Sequence, residues 1–91
     1  MNKSELIQAT ADKVDLSKSD VSTVVDAVLD TITESVSRGD KVSLTGFGTF
    51  ERRERAARTG RNPQTGQEIR VQASKAPAFK PGKAFKDAVD K

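Results

Sequence analysis

The apolar residues at the start of the chain recur at helical spacing. Asn2 precedes Glu5 by three residues, an arrangement typical of a helix N-terminus, and the apolar residues that follow fall on one side of a helix. This pattern predicts a first helix over about residues 3–14.

A second, more regular helical pattern follows. Ser17 with Asp20 three residues later predicts its start, and Arg38 followed by Gly39 predicts its end. Its apolar positions keep the i, i+3, i+4, i+7 spacing of an amphipathic helix. They are Val21, Val24, Val25, Val28, Leu29, Ile32 and Val36.

Three acidic residues, Asp26, Asp30 and Glu34, lie at four-residue spacing opposite this apolar stripe. One interpretation is a metal or general-base site. However, the chain has no histidine, and the same spacing is typical of a solvated helix face. We therefore interpret the two helices as a scaffold.

After Gly39 the apolar period changes from helical to alternating. Val42 and Leu44 predict a strand, and residues 46–48 (GFG) predict a tight turn into a second strand rather than a phosphate loop, because no P-loop lysine follows. Ile69, Val71 and Ala73 resume the alternation, and a last helix is expected over residues 81–91. The predicted fold class is α+β.

Residues 51–68 form a polar segment without a large apolar side chain. One interpretation is a mobile surface loop. The other is a projecting β-ribbon arm over residues 51–76, since residues 51–61 would reach roughly 30 Å when extended. Five arginines within ten residues favour the arm, because disorder does not explain their concentration. They are Arg52, Arg53, Arg55, Arg58 and Arg61.

The charge of the chain is divided unevenly. Residues 1–40 hold four basic and eight acidic residues, a net charge of about −4. Residues 41–91 hold twelve basic and five acidic residues, a net charge of about +7. Such asymmetry can steer an anionic polymer onto one part of a molecule.

Composition limits the remaining chemistry. A chain of 91 residues with 34% hydrophobic content is the size of one domain. Cysteine and histidine are absent, which excludes disulfides, Cys/His metal sites and Cys/His nucleophilic catalysis. We expect no enzymatic activity, metal or cofactor. Without a signal segment or a membrane-spanning run, we also expect a cytoplasmic location.

The hydrophobic core predicted from these elements is small. Without residues 51–68, 73 residues remain, a size at which one core gives little net stability. Sharing apolar side chains, including Phe85, across a two-fold axis would enlarge the core. We therefore predict an obligate homodimer. Its core would contain Val25, Val28, Leu29, Ile32, Leu44, Phe47, Phe50 and Phe79.

The arginines and Pro63 of the polar segment suit a nucleic-acid groove. A two-stranded ribbon fits such a groove, and arginines pair with phosphates. Pro63, in the turn RNPQTG, has no N–H to desolvate and a fixed φ, so its ring can act as a wedge between bases. These residues alone leave DNA, RNA and acidic surfaces open as partners.

The stretch GFGTFERRERAARTGRNPQT, residues 46–65, resembles the signature of the bacterial histone-like HU and integration host factor family. The resemblance extends to the opening MNKSELI and to PAFKPGKAFKDAV near the C-terminus, so that it covers essentially the whole chain. It is closer to the HU branch. It implies an intertwined homodimer with a helical base (residues 1–40), the arm and a C-terminal helix.

The same resemblance implies a function and its site. The arms would enter the minor groove of double-stranded DNA, with Pro63 intercalating. Lys3, Lys80, Lys83 and Lys86 would contact phosphates along the body. The arm contacts would come from Arg53, Arg55, Arg58, Arg61, Asn62, Gln64 and Lys75.

The function implied is DNA binding and bending without sequence preference, to compact and organise the bacterial nucleoid. One alternative within the family is a sequence-preferring subunit of the integration host factor type, and a heterodimer with a paralogue is a related alternative. Outside the family, an RNA-binding or general polyanion-binding module is the competing hypothesis.

Overall fold

The computed structural model describes all residues from Met1 to Lys91. They form two compact units, Met1–Glu34 and Ser35–Lys91. None of the helices combines the length and apolarity needed to cross a bilayer. The elements in chain order are α1 (Lys3–Val14), α2 (Lys18–Ser37), β1 (Val42–Leu44), β2 (Gly48–Arg55), β3 (Arg58–Arg61), β4 (Glu68–Val71), β5 (Ser74–Pro81) and α3 (Lys83–Val89).

Side-chain caps begin both long helices, as the sequence predicts. Asn2 Oδ1 accepts a hydrogen bond from the Glu5 N–H at 2.9 Å at the start of α1. Ser17 Oγ accepts one from the Asp20 N–H at 3.0 Å at the start of α2. Each cap satisfies a backbone donor that has no partner inside its helix, which fixes where the helix begins.

The core of the first unit is small. Its buried side chains are Ile7 and Ala11 of α1 and Val21 of α2, with Val25 packed against them. Most other apolar side chains of α2 in this unit are exposed in the single chain. The amphipathic stripe predicted from the sequence is therefore only partly covered by α1.

The C-terminus of α2 has the hydrogen bonds of a Schellman motif. The Gly39 N–H donates to the Val36 carbonyl and the Asp40 N–H donates to the Ser35 carbonyl, both at 2.9 Å. Gly39 has a φ of +89°, a conformation that glycine adopts without a Cβ penalty. The helix end predicted from Gly39 is confirmed.

The second unit contains an antiparallel sheet in the order β1-β2-β5. Phe50 at the centre of β2 pairs with Val42 of β1 and with Phe79 of β5, so these three apolar residues share one face. Strand β5 contains Pro77, which lacks a backbone N–H. Proline is tolerated here because β5 is an edge strand, where one side of the strand has no neighbour to receive hydrogen bonds.

Four phenylalanines pack together beside this sheet. The Phe47 and Phe85 rings stack with centroids 4.8 Å apart and an interplanar angle of 9°, and the Phe50 and Phe79 centroids are also 4.8 Å apart. The Phe85 N–H donates to the Gly46 carbonyl at 3.1 Å, which ties α3 to the GFG turn. The glycine turn therefore fixes where the last helix begins.

The arm differs from the continuous extended segment that the sequence suggested. Strands β2 and β5 end at the pair Arg55 and Ser74, and β3 and β4 begin again at Arg58 and Val71. The interruption consists of residues 56–57 and 72–73, which include three alanines with low strand propensity. Equal numbers of residues interrupt both sides, so the register continues without a bulge.

Strand β5 is longer than the alternating pattern indicated. The sequence predicted a returning strand through Ile69, Val71 and Ala73, whereas Ala73 lies in the interruption and β5 covers Ser74–Pro81. The alanines and prolines of this strand have low strand propensity, so the sequence does not predict it. Pairing with all eight residues of β2 determines it instead.

Candidate nucleic-acid interface

Five arginines of the arm are free of carboxylate partners within the chain. They are exposed and form none of the ion pairs found in the structure. Their guanidinium groups can therefore accept an external anion without first breaking a salt bridge. They are Arg53, Arg55, Arg58, Arg61 and Arg70.

Arg52 is bound within the protein. Its Nη1 donates to the Ser37 carbonyl at 3.1 Å, and its Nη2 lies 3.3 Å from Glu54 Oε1. Only 25% of its side chain is exposed. Arg52 therefore links β2 to the end of α2, and we separate it from the arginines that face solvent.

The sheet register sorts the basic residues of β2 and β5 between two faces. Arg53 and Arg55 alternate with Arg52 and so lie on the face opposite to it. Lys80, paired with Thr49, shares the face of Arg53 and Arg55. Lys75 is paired with Glu54 and lies on the face of Arg52. The predicted contacts Arg53 and Lys75 are thus not on one surface.

The two-stranded ribbon formed by β3, β4 and their turn, residues 58–71, also has two distinct faces. Arg58 pairs with Val71, and Gly60 pairs with Ile69 on the same face. The other face carries the pairs Thr59 with Arg70 and Arg61 with Glu68. The ribbon therefore carries free arginines on both faces. Arg58 shares its face with Val71 and Ile69, whereas Arg61 and Arg70 lie on the other face.

Asn62 organises the tip of the ribbon. Its N–H donates to the Gln67 carbonyl, and its carbonyl accepts from the Gly66 N–H, both at 2.8 Å. Its side-chain Oδ1 accepts from the Gln64 N–H at 2.9 Å. Pro63 lies between Asn62 and Gln64 and is exposed. The turn is thus held by Asn62, which leaves the proline ring accessible.

Glu51 engages two lysines next to the free arginines. Its Oε1 lies 3.0 Å from Lys80 Nζ and its Oε2 lies 3.7 Å from Lys41 Nζ. The hydrogen bond from Lys80 is the main cause that lowers the pKa of the Glu51 carboxyl, with smaller contributions from the charges of both lysines. Lys80, a predicted phosphate contact, is therefore paired in the unbound protein.

The other predicted body lysines differ in their pairing. Lys3 Nζ lies 2.6 Å from Asp26 Oδ1, and this hydrogen bond raises the pKa of the Lys3 ammonium above its ordinary value. Lys83 is 4.0 Å from Asp87 and almost fully exposed. Lys86 forms no ion pair. Only Lys83 and Lys86 are readily available to a phosphate.

Two further basic residues lie near the predicted contacts but are not among them. Arg70 lies on the face of Arg61, and Lys41 contacts Glu51. The basic character of the returning segment was a signal for Arg70, but nothing in the sequence pairs Lys41 with Glu51.

The carboxylates Asp26, Asp30 and Glu34 belong to no metal-binding cluster, since the structure contains no such group of three or more acidic residues.

Comparison with known proteins identifies the family. The sequence model described as "Bacterial DNA-binding protein" matches residues 1–90. The chain belongs to this family. It is 66% identical to the DNA-binding protein HU of Geobacillus stearothermophilus, over 98% of this chain and 99% of the relative. It is 63% identical to the DNA-binding protein HU 1 of Bacillus subtilis strain 168, over 98% and 97% of the two chains.

A solved structure of the family has the same fold. HU of Anabaena, crystallised with DNA, is 50% identical to this chain and superposes with a TM-score of 0.88, over 98% of this chain and 97% of that one. The predicted HU resemblance and the α+β fold with a β-ribbon arm are confirmed. As a member of the HU family, the chain is a DNA-binding protein with an architectural role.

Proposed function

We propose that the arm binds the minor groove of duplex DNA and that the protein bends the DNA it binds. The observation that carries this proposal is the set of free, exposed arginines on a ribbon whose tip presents Pro63. Arginines can pair with phosphates or enter a narrowed minor groove. Their charge attracts every duplex alike, which accounts for binding without sequence preference.

Pro63 is the wedge in this proposal. Minor-groove architectural proteins, with HU among the standard examples, insert apolar side chains between base steps and kink the duplex. Pro63 is the exposed apolar residue of the turn, and hydrogen bonds of Asn62 to Gln64, Gly66 and Gln67 hold that turn. A preorganised tip lowers the entropy lost on insertion.

The active species that we propose is a homodimer. In the single chain, exposed fractions reach 50% for Val28, 47% for Leu29 and 47% for Phe47, while only three residues are buried as a hydrophobic core. Apolar surface of this extent is typical of an interface. A folded monomer at micromolar concentration in sedimentation experiments would contradict this part of the proposal.

Some lysines of the body can bind DNA only by exchanging a carboxylate partner for a phosphate. Lys3 and Lys80 would leave Asp26 and Glu51 for phosphates, whereas Lys83 and Lys86 need little or no exchange. Exposed ion pairs contribute only about 0–1 kcal/mol each, so phosphates can compete with them. The paired lysines therefore add less to affinity than the free arginines.

We further propose that the protein compacts and organises the nucleoid in the bacterial cytoplasm, without a cofactor. Two alternatives remain as outcomes of a test: a sequence-preferring subunit, or a module that binds RNA and other polyanions. Competition among random duplex DNA, specific duplex sequences, duplex RNA and heparin separates them. Preference for random duplex DNA over RNA and heparin supports the proposal, and equal affinity for all polyanions contradicts it.

The salt dependence of duplex binding tests the proposal that the arm binds DNA phosphates electrostatically. The logarithm of the binding constant should fall linearly with the logarithm of salt concentration, with a slope of about −0.9 for each phosphate neutralised. Fluorescence titrations over a series of potassium chloride concentrations measure this slope. An affinity independent of salt would reject phosphate pairing by the arm.

A further inference from the structure

The arm leaves the three-stranded sheet immediately after Phe50. Phe50 pairs with Val42 at the end of the β1 ladder, and from Glu51 onward β2 pairs with β5 alone. A two-stranded ribbon is marginally stable by itself and twists more than a wider sheet. The direction of the arm therefore depends on contacts that hold its root, defined as Glu51 and Arg52.

The two residues of the root make such contacts on opposite faces. Glu51 Oε2 lies 3.7 Å from Lys41 Nζ, and Arg52 Nη1 donates to the Ser37 carbonyl at 3.1 Å. Ser37 is the last residue of α2 and Lys41 directly precedes β1, so both contacts reach the short connection between these elements. Because successive strand residues point to opposite faces, the root is held from both sides.

The contact made by Arg52 is the stiffer of the two. Lys41 is largely exposed and ends in one ammonium group on a flexible stem, whereas the Arg52 guanidinium is planar and mostly covered. Its Nη2 also lies 3.3 Å from Oε1 of Glu54, two residues further along the same strand. Two partners therefore fix the orientation of the guanidinium.

The C-terminal end of α2 suits this guanidinium. The carbonyls of the last helical turn lack partners within the helix and carry the negative end of its dipole. None of the residues in the last turn of α2 is basic, so Arg52 supplies a cation from another element. A Cβ at Gly39 would lie 3.0 Å from Arg52 Nη2, so the absence of a side chain there leaves room for the guanidinium.

We propose that Arg52 is a positioning residue that sets the angle at which the arm leaves the sheet, and hence the bend of the bound DNA. This inference rests on the proposed binding of duplex DNA by the arms of a homodimer. An arm that reaches roughly 30 Å moves its tip by roughly 5 Å when it swings by about 10° at Arg52. Successive phosphates of one strand are only about 3.4 Å apart along the duplex axis, so such a swing would bring Pro63 to a different base step.

Spin labels on single cysteines measure the position of the arm in the unbound protein. The chain has no cysteine, so Gln64→Cys places one label at the tip of each arm. Ser74→Cys places one closer to the root, before the interruption at residues 56–57 and 72–73. Pulsed dipolar spectroscopy gives the distance between the two labels of the homodimer. With Arg52→Gln we expect broader distributions at both positions, and a tip distribution broader by roughly 5–10 Å.

Arg53→Gln is the matched control for the arm position. Arg53 follows Arg52 in the strand, lies on the opposite face and forms no ion pair, so its replacement should keep both distance distributions of the parent. Arg52→Lys keeps the charge but not the planar pair of donors, so its distributions should lie between those of the parent and Arg52→Gln. Unchanged distributions in Arg52→Gln, or an equal change in Arg53→Gln, overturn the proposal. A change confined to the tip also overturns it, since the hinge would then lie in the interruption.

The shape of the bound DNA provides a readout that a loss of stability alone would not move. At a temperature at which circular dichroism shows Arg52→Gln to be folded, energy transfer across a saturated, end-labelled duplex should report a smaller bend than with the parent. The affinity should fall only roughly twofold to fourfold, because the arm must then be ordered on binding. The salt slope should equal that of the parent, since no phosphate contact is lost. An unchanged bend overturns the proposal.

Failure of this inference is distinguishable from failure of the proposed function. If the parent protein shows no salt-dependent affinity for duplex DNA, the binding function is wrong, while the label distances still show whether Arg52 holds the arm. If the parent binds and bends DNA but Arg52→Gln keeps both its label distances and its bend, only the role of Arg52 is wrong.

Discussion

Lys80 Nζ lies 3.0 Å from Oε1 of Glu51, on the sheet face that also carries Arg53. Lys41 reaches the other oxygen of the same carboxylate at 3.7 Å, and only 12% of the Glu51 side chain is exposed. A phosphate that binds Lys80 must therefore compete with Glu51. We therefore predict that Glu51 lowers the affinity of the protein for DNA.

Replacing this carboxylate should strengthen DNA binding. In Glu51→Gln, Lys80 and Lys41 lose their anionic partner and become available to phosphates. Because the lysines of these pairs are largely exposed, at 65% for Lys80 and 69% for Lys41, each pair contributes only on the order of 1 kcal/mol, and we expect a gain in affinity of roughly two- to fivefold. The salt slope should become steeper by about 0.9 for each phosphate newly contacted, or about 1.8 per dimer if Lys80 gains one contact in each subunit. Duplex titrations at several salt concentrations measure both quantities.

A double-mutant cycle with Lys80→Gln shows whether Lys80 carries this effect. If it does, Glu51→Gln should give a smaller gain when Lys80 is already replaced. A gain of equal size in both backgrounds would mean that Glu51 acts through general charge repulsion and not through its pair with Lys80.

Two arginines of the arm, Arg61 and Arg52, should respond differently to the same substitution. Arg61→Gln removes a free cation and should weaken binding to all duplex sequences, with the salt slope reduced by about 0.9 per substituted arginine, or about 1.8 per dimer. Arg52→Gln removes the bonds to Ser37 and Glu54 and should mainly lower the free energy of unfolding, by about 1 kcal/mol.

Salt titrations and chemical denaturation of both variants separate these roles. A reduced salt slope in Arg52→Gln that matches the reduction in Arg61→Gln would contradict the division between bound and free arginines.

Pro63 should affect the shape of the bound DNA more than the affinity. Pro63→Ala keeps every arginine but removes the rigid ring at the tip, so the bend should decrease while the salt slope stays constant. Resonance energy transfer between dyes at the two ends of a duplex measures the bend. Pro77→Ala, in the edge strand β5, is the matched control. Equal bending by Pro63→Ala and the parent refutes the wedge.

Gly48 supports the fold rather than the interface. A Cβ at this position would lie 2.4 Å from the Phe79 ring, too close for any real contact, so Gly48→Ala must displace the ring from its packing with Phe50. We expect a loss of about 1–3 kcal/mol in the free energy of unfolding. Gly60→Ala is the control, since its Cβ would meet neighbouring atoms at an ordinary 3.9 Å. Thermal unfolding compares the two, and equal melting temperatures would contradict the role of Gly48.

Local features of the fold could be predicted from the sequence. The caps at Asn2 and Ser17 and the end of α2 at Gly39 depend on hydrogen bonds between residues close in the chain. The residue types at these positions therefore predict the helix ends directly. The long strand β5 could not be predicted in this way, because its pairing with β2 overrides the weak strand propensity of its alanines and prolines.

The candidate site was predictable in composition but not in arrangement. The sequence shows a concentration of arginines with Pro63 between them. It does not show that Arg52 is bound to Ser37, or that Lys80 is paired with Glu51. These contacts depend on the sheet register and on the position of the end of α2, which are set by tertiary pairing. The sequence alone therefore does not distinguish bound from free cations, although the family resemblance already leaves Arg52 out of the expected DNA contacts.

The position of the arm tip on DNA tests the central proposal most directly. The chain has no cysteine, so Gln64→Cys provides a single thiol beside Pro63 for attachment of an iron-EDTA cleavage reagent. If the tip lies in the minor groove, cleavage of the two strands should be localised and offset toward the 3′ side. A 5′ offset, which indicates the major groove, or cleavage without localisation would contradict it.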